Sequence, residues 1–167
     1  LIVLGLGSSL GDREAHLHAA VERLRSANFF QPGATSPVYE SDAMLPPNAP
    51  SDWNIPYLNM CLAGETPLEP SALLAELKRL EHELGRQPAE RWAPRTIDID
   101  LVAYDEQVVR VGGLIVPHPG MLERPFVLLP LADVAPHWTH PLVGRTAAEL
   151  AAPWRQGEVP YHTRRIA

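Results

Sequence analysis

Eighteen prolines and eleven glycines are spread through 167 residues, and they limit the fold more than any other feature of the chain. A proline inside a helix removes a hydrogen bond and clashes with the preceding turn. No helix here can therefore run uncapped for about forty residues, which excludes coiled coils and long simple bundles. What remains is a set of short elements joined by many turns. Hydrophobic residues make up 46% and charged residues 20%, enough apolar material for one packed domain at this length.

The segment between punctuation marks can be read by period. Residues 1–6 form an apolar run that reads as a buried strand, followed by a turn and a helix near residues 12–26 with Asp12 as its N-cap. Alternation predicts strands around Ser36–Ser41 and Tyr57–Glu65, separated by a long loop over residues 42–56 whose four prolines forbid regular pairing. Pro67 and Pro70 open a helix with Leu73, Leu74, Leu77, Leu80 and Leu84 on one stripe, and Gly85 stands where a C′ glycine would end it. The stretch TIDIDLVAY alternates, which turns Ile97, Ile99 and Leu101 inward and Asp98 and Asp100 to the opposite face. The order βαββαβ predicts an α+β fold with a ferredoxin-like core, both helices packed on one face of an antiparallel sheet. A hairpin over residues 107–116, a short helix in FVLLPLADVAP and a last helical turn at Thr146–Leu150 would complete a domain of residues 1–152. Residues 153–167 read as a peripheral tail or trimmed linker.

A net charge of −6 argues against a general nucleic-acid binder, which needs a strongly positive surface. No run approaches the roughly 18 apolar residues that span a bilayer. Cys61 is the single cysteine, so no intrachain disulfide can form, and the expected setting is reducing and cytoplasmic.

Gly5, Gly7 and Gly11 miss the G-x-G-x-x-G spacing by one residue, and no G-K-[ST] follows, so neither standard phosphate cradle is present. Asp98 and Asp100 are the sharpest local signal. Residues two apart on a strand share a face with Cα atoms about 6.5 to 7 Å apart, a separation suited to two Mg²⁺ ions about 3.5 to 4 Å from each other. A solvated strand face would give the same alternation. The density of Arg86, Arg91 and Arg95 just before this strand favours chemistry, because carboxylate-held metals and guanidinium forks are the parts that phosphoryl transfer uses. His118, between two prolines and near Arg124, could donate to a phosphate, although a lone histidine is more often structural. Trp53, Tyr57, Trp92 and Phe126 lie in or beside irregular segments, where rings can stack on a flat heterocycle or simply join the core.

Taken together, LGLGSSLGD, YLN at residues 57–59, LGR at 84–86, RWAPRTIDIDL at 91–101 and VPHPGMLERPFVLLPLADVAP at 116–136 resemble the 6-hydroxymethyl-7,8-dihydropterin pyrophosphokinase family of folate biosynthesis. The resemblance runs from about residue 2 to 150. It implies transfer of the pyrophosphoryl group of ATP, as co-substrate, to the pterin hydroxymethyl, with AMP released and two Mg²⁺ ions held by Asp98 and Asp100. It assigns Arg86 and Arg95 to catalysis and Arg91, Trp92, Leu101, His118 and Arg124 to ATP. Gly7, Ser41, Met44, Tyr57, Asn59 and Phe126 fall to the pterin, and Glu81 to a supporting role. Ser9, Ala93 and Gly113 depart from the family pattern, which leaves room for a weakened paralogue. A ferredoxin-like binding module with a structural cation is the alternative from another class. Some members are fused to neighbouring folate-pathway domains, and the polar, basic end of the chain is compatible with such a fusion.

Overall fold

The structure, a computed structural model, describes residues 1–157 and 163–166. In chain order its elements are β1 (Ile2–Ser8), α1 (Arg13–Ser26), β2 (Gln31–Thr35), β3 (Tyr39–Ser41), β4 (Tyr57–Glu65), α2 (Pro70–Glu83), β5 (Asp98–Tyr104), β6 (Val109–Val111), β7 (Leu114–Val116), α3 (Pro125–Val134), α4 (Ala147–Arg155) and β8 (Thr163–Arg165). Short 3-10 turns lie at Ser51–Trp53 and Met121–Glu123. The class is mixed α/β with an antiparallel sheet.

β1 is an interior strand. It pairs antiparallel with β4 on one side and β5 on the other, giving the order β5-β1-β4-β3-β8, with β2 also on β4. Such a position buries both faces, and the apolar and small residues of IVLGLGS meet that demand. Ile2, Leu4 and Leu6 join Leu58, Met60, Leu62, Ile99 and Leu101 on the face covered by α1 and α2. Val3, Cys61, Ala63, Val102 and Ala103 face the other way, onto Leu128 and Leu131 of α3 and Ala147 and Leu150 of α4. The sheet therefore has helices on both sides, whereas the sequence led us to expect a helical layer on one.

The helices begin and end where their chemistry dictates. Asp12 caps α1 by accepting from the Ala15 amide at 3.1 Å, and Thr146 caps α4 by accepting from Glu149 at 3.2 Å. α2 starts on Pro70, whose missing N–H costs nothing at a first turn, and Gly85 beyond its end has φ +96°, a conformation that glycine adopts without a Cβ clash. Leu73 and Leu77 of its stripe are fully buried, each contributing about 2 kcal/mol by removal from water.

β5 contains one irregularity. Val3 pairs with Ala103 and Leu4 with Leu101, so Val102 is an extra residue, a β-bulge in the ladder. Up to Leu101 the strand alternates strictly. After it, Val102 and Ala103 both turn to the α3 and α4 side. The backbone carbonyl of Val102 accepts from the His118 amide at 3.0 Å, which ties the segment after β7 to this strand.

Other differences from the sequence reading have local causes. Only Tyr39–Ser41 of the expected 36–41 strand is regular: Ser36 bonds β4 through its amide, which donates to the Cys61 carbonyl at 2.9 Å, and its Oγ, which accepts from the Cys61 amide at 2.8 Å, but Pro37 has no N–H to continue a ladder. Gln31–Thr35 is a strand the pattern hid, since Pro32 and Gly33 read as a turn. α4 crosses the domain boundary expected after residue 152. It carries Pro153 inside it and reaches Arg155, whose guanidinium meets Asp133 at 2.5 Å. Of the expected tail, residues 158–162 and 167 lie outside the described residues, and Thr163–Arg165 pairs with β3. Between β6 and β7, Gly112 and Gly113 have φ +53° and +85°, as a two-residue hairpin turn requires, so the departure at Gly113 answers to that turn. Among the described residues no helix is long and apolar enough to cross a membrane.

Candidate active site

α3 and α4 cover only part of their side of the sheet. Towards the other end of the same face, Gly5 and Gly7 of β1, Asn59 of β4 and Asp98 and Asp100 of β5 line a cleft of about 530 Å³. Period-two alternation puts them there, and the two glycines leave the floor low enough for a ligand to approach the backbone. The 42–56 loop contributes Asp42 and Met44, the segment before β5 contributes Arg91, Trp92 and Arg95, and the segment from β7 to α3 contributes His118, Arg124 and Phe126.

The two aspartates share a face but have different environments. Asp98 accepts from Arg86 Nη1 at 2.8 Å and from Arg95 Nη1 at 3.1 Å. Asp100 has no guanidinium within ion-pair distance among the described residues; its nearest basic neighbour is His118, with Nε2 3.9 Å away. Burial, reinforced by the Asp98 charge, pushes the Asp100 carboxyl up to about 7. Burial and then the Arg124 charge lower His118 below its usual range, so the imidazole is neutral at pH 7 and the 3.9 Å contact is not an ion pair.

Behind the pair lies Glu81 of α2, 2% exposed. Its Oε1 accepts from the Ile99 amide at 3.1 Å, between the two aspartates, and from Lys78 Nζ at 2.9 Å; its Oε2 accepts from Arg86. Burial works against the Arg86 charge, but Asp98 and Glu81 together hold its pKa above the ordinary value. One buried carboxylate thus fixes both the backbone that presents the aspartates and the arginine that faces them.

The loops close over this floor. Trp92 adopts φ +72°, an uncommon conformation for a bulky residue, with the Arg91 guanidinium carbon 4.8 Å and that of Arg124 5.8 Å from its ring centroid. Tyr57 donates from its hydroxyl to the Ala93 carbonyl at 3.3 Å, linking β4 to the arginine-rich loop. Asn59 donates to Ser41 Oγ at 2.8 Å, which orients both side chains on neighbouring strands.

Gly7, Ser41, Met44, Tyr57, Asn59, Arg91, Trp92, Arg95, Asp98, Asp100, His118, Arg124 and Phe126 all line the cleft, as a site built from these sequence segments requires. Arg86 reaches the site through Asp98. Leu101 is the correction. Its side chain lies in the core beneath α1 and α2, 4% exposed, and the residue does not line the cleft. Sequence spacing gave no hint that Ser8 and Ser9 bond the segment before β5: Ser8 Oγ donates to the Thr96 carbonyl at 2.6 Å, and Ser9 Oγ accepts from the Arg95 amide at 3.0 Å.

The donor set suits Mg²⁺. Two adjacent carboxylates supply hard oxygens, and a cation would relieve the repulsion that raises Asp100. Among the described residues no group of three or more acidic, histidine or cysteine side chains forms a metal cage. Mg²⁺ commonly completes its shell with phosphate and water, so two carboxylates suffice.

Residues 3–136 match the family model described as 7,8-dihydro-6-hydroxymethylpterin-pyrophosphokinase (HPPK). The 2-amino-4-hydroxy-6-hydroxymethyldihydropteridine pyrophosphokinase of Methylorubrum extorquens is 42% identical over 151 residues, covering 89% of this chain and 90% of its own. The folate synthesis bifunctional protein of Chlamydia muridarum is 38% identical over 158 residues, 90% of this chain but 35% of that protein. The chain thus spans about a third of the length of that bifunctional relative. Plasmodium falciparum HPPK-DHPS with pteroate shares the fold, with a TM-score of 0.74 at 15% identity over 99% of this chain and 45% of that one. With the match running through the acidic strand, the arginine-rich loop and the segment that carries His118, the chain belongs to the HPPK family.

Proposed function

We propose that this chain transfers the pyrophosphoryl group of ATP to the hydroxymethyl group of 6-hydroxymethyl-7,8-dihydropterin in folate synthesis. The hydroxymethyl oxygen attacks the β-phosphorus, the bond from that phosphorus to the α-side bridging oxygen breaks, and AMP and a proton leave. The observation that carries this reading is the shared cleft. An acidic pair flanked by Arg86 and Arg95 stands at one side, and Tyr57, Asn59 and Phe126 line the same space.

Asp98 and Asp100 would hold Mg²⁺, two ions in our reading, which when bound supplies charge neutralisation on the phosphate oxygens. Arg86 and Arg95 then exchange Asp98 for phosphate oxygens, as bidentate guanidinium forks readily do. Arg91 and Arg124 add charge on the triphosphate side, with Trp92 held between them, and neutral His118 donates one hydrogen bond to a phosphate oxygen. The pterin stacks against Tyr57 and Phe126, with Asn59, Ser41 and the backbones near Gly7 and Met44 reading its polar edge.

The strand order β5-β1-β4-β3 supports the ferredoxin-like description of the core, and the β6–β7 ladder supplies the added hairpin. We place the catalytic unit in residues 1–155, since α4 packs as part of it. Fusion to a second folate-pathway domain accords with the bifunctional relatives. A cytoplasmic setting accords with the buried free thiol of Cys61.

Incubation with Mg-ATP and the hydroxymethyl dihydropterin should yield AMP in a pterin-dependent manner, abolished in Asp98→Ala and Asp100→Ala. Tight binding of both ligands without AMP would instead indicate a weakened paralogue. Absence of binding and AMP together would leave a module that holds a cation, and would refute the proposal.

A further inference from the structure

Two loops flank the cleft, residues 42–56 and residues 86–96, and both have their feet on the same six residues. Arg13, the first residue of α1, reaches across to β3 and β4. Its Nη2 lies 2.9 Å from Glu40 Oε2 and its Nη1 donates to the Pro56 carbonyl at 3.1 Å. Glu40 stands just before the 42–56 loop begins and Pro56 is its last residue. One guanidinium therefore clasps both feet of a 15-residue loop, and it does so between Ser41 and Tyr57, which line the cleft. Arg13 and Glu40 are 28% and 20% exposed, so the clasp is partly shielded from solvent.

The other loop is held by Ser8, Ser9 and Leu10. The Ser9 and Leu10 amides both donate to the Arg95 carbonyl, at 3.0 and 3.2 Å, and the Arg95 amide donates back to Ser9 Oγ at 3.0 Å. Ser8 Oγ donates to the Thr96 carbonyl at 2.6 Å. Ser8 and Ser9 are 0% and 3% exposed, so these bonds are made out of water's reach. They extend the β1–β5 ladder beyond its last pair, Gly7 with Asp98, and so fix the backbone from which the Arg95 side chain reaches Asp98.

We propose that the β1–α1 connection, residues Ser8 to Arg13, is the shared anchor for both loops: Arg13 is a positioning residue for the 42–56 loop and its pterin contacts, and Ser9 is one for the 86–96 loop and its phosphate contacts. Neither side chain lines the cleft, so each acts through the segment it holds. The proposal rests on the pyrophosphokinase reading for the identity of the two substrates, and on the structure alone for the anchoring.

The test compares Arg13→Met, which keeps the aliphatic stem, with Ser9→Ala in the full chain, by amide hydrogen exchange and by steady-state kinetics. In Arg13→Met, exchange should rise about five- to tenfold, the worth of about one ordinary hydrogen bond, at Ala49, Trp53, Asn54 and Ile55. These amides are bonded within the loop. The pterin KM should rise by a similar factor, with the ATP KM and kcat changed less than twofold. Arg13→Lys, able to reach one partner but not to fork between two, should fall between wild type and Arg13→Met. Ser9→Ala should give the converse: faster exchange at Ala93 and Arg95, a raised ATP KM or lowered kcat, and an unchanged 42–56 loop. Unchanged exchange in 42–56 on loss of Arg13, equal acceleration of both loops by either variant, or loss of protection throughout β4 would each overturn the assignment. If wild type forms no AMP, the pyrophosphokinase reading fails, while the exchange data still decide the anchoring.

Discussion

Neutralising either aspartate of the acidic pair should abolish metal-dependent turnover, yet the two substitutions should change the stability of the metal-free protein in opposite directions. Asp98, 20% exposed, receives charge-assisted hydrogen bonds from Arg86 and Arg95. Replacing it with Asn weakens both and leaves two guanidiniums facing an amide, a loss of about 2 kcal/mol. Asp100 lacks such partners, and burial beside Asp98 pushes its carboxyl up to about 7. A folded-state value above the unfolded one means that ionisation disfavours the fold. The penalty is absent below the unfolded carboxyl value of 3.8, grows as pH rises, and is complete above about 7. Solvent at a side chain 41% exposed screens much of it, leaving on the order of 1 kcal/mol. Urea unfolding in EDTA at several pH values between 4.5 and 8 measures this. Asp100→Asn should exceed wild type in stability at pH 8, with the gain shrinking steadily as pH falls to 4.5, while Asp98→Asn stays below wild type at neutral pH. Destabilisation by Asp100→Asn at pH 8, or a gain that does not change with pH, would refute the electrostatic reasoning.

Glu81→Gln should cost about 3 kcal/mol in urea unfolding, because it uncharges a buried group that Arg86 and Lys78 both face and replaces one acceptor at the Ile99 amide. Trp92→Gly and Trp92→Ala both remove the ring between Arg91 and Arg124. Only glycine relieves the positive φ, so the glycine variant should be the more stable of the two by about 1 kcal/mol, with ATP binding weakened in both as read by calorimetry.

What could be read from the sequence was whatever rested on period and punctuation. The α2 stripe from Leu73 to Leu80 is buried, and the alternation through Ile97, Ile99 and Leu101 correctly separates the core from the aspartates. That alternation already argued against a side-chain role for Leu101 at the nucleotide, which only the family resemblance suggested. The second helical layer was harder to foresee. FVLLPLADV is apolar nearly all round and carries Pro130, so its pattern shows no preferred face, and which side of the sheet it covers is a tertiary outcome. β2 was hidden by its own Pro32 and Gly33, tolerated because it is an edge segment. Arg13 and Ser9 look like ordinary polar residues near a helix start. Their partners lie 43 and 86 residues away, beyond the reach of local pattern.

The extra residue at Val102 divides β5 into two stretches with separate obligations. Ahead of it, side chains alternate between core and cleft; beyond it, Ala103 packs towards α3 and α4 and Tyr104 returns to the α1 and α2 side. Deleting that one residue would leave a continuous ladder, with Leu101 and Ala103 on successive positions and the aspartates still facing the cleft, but would remove the carbonyl that receives the His118 amide. The unpaired residue thus gives the acidic strand one carbonyl outside the β1 pairing, and that carbonyl sets where His118 stands beside Asp100.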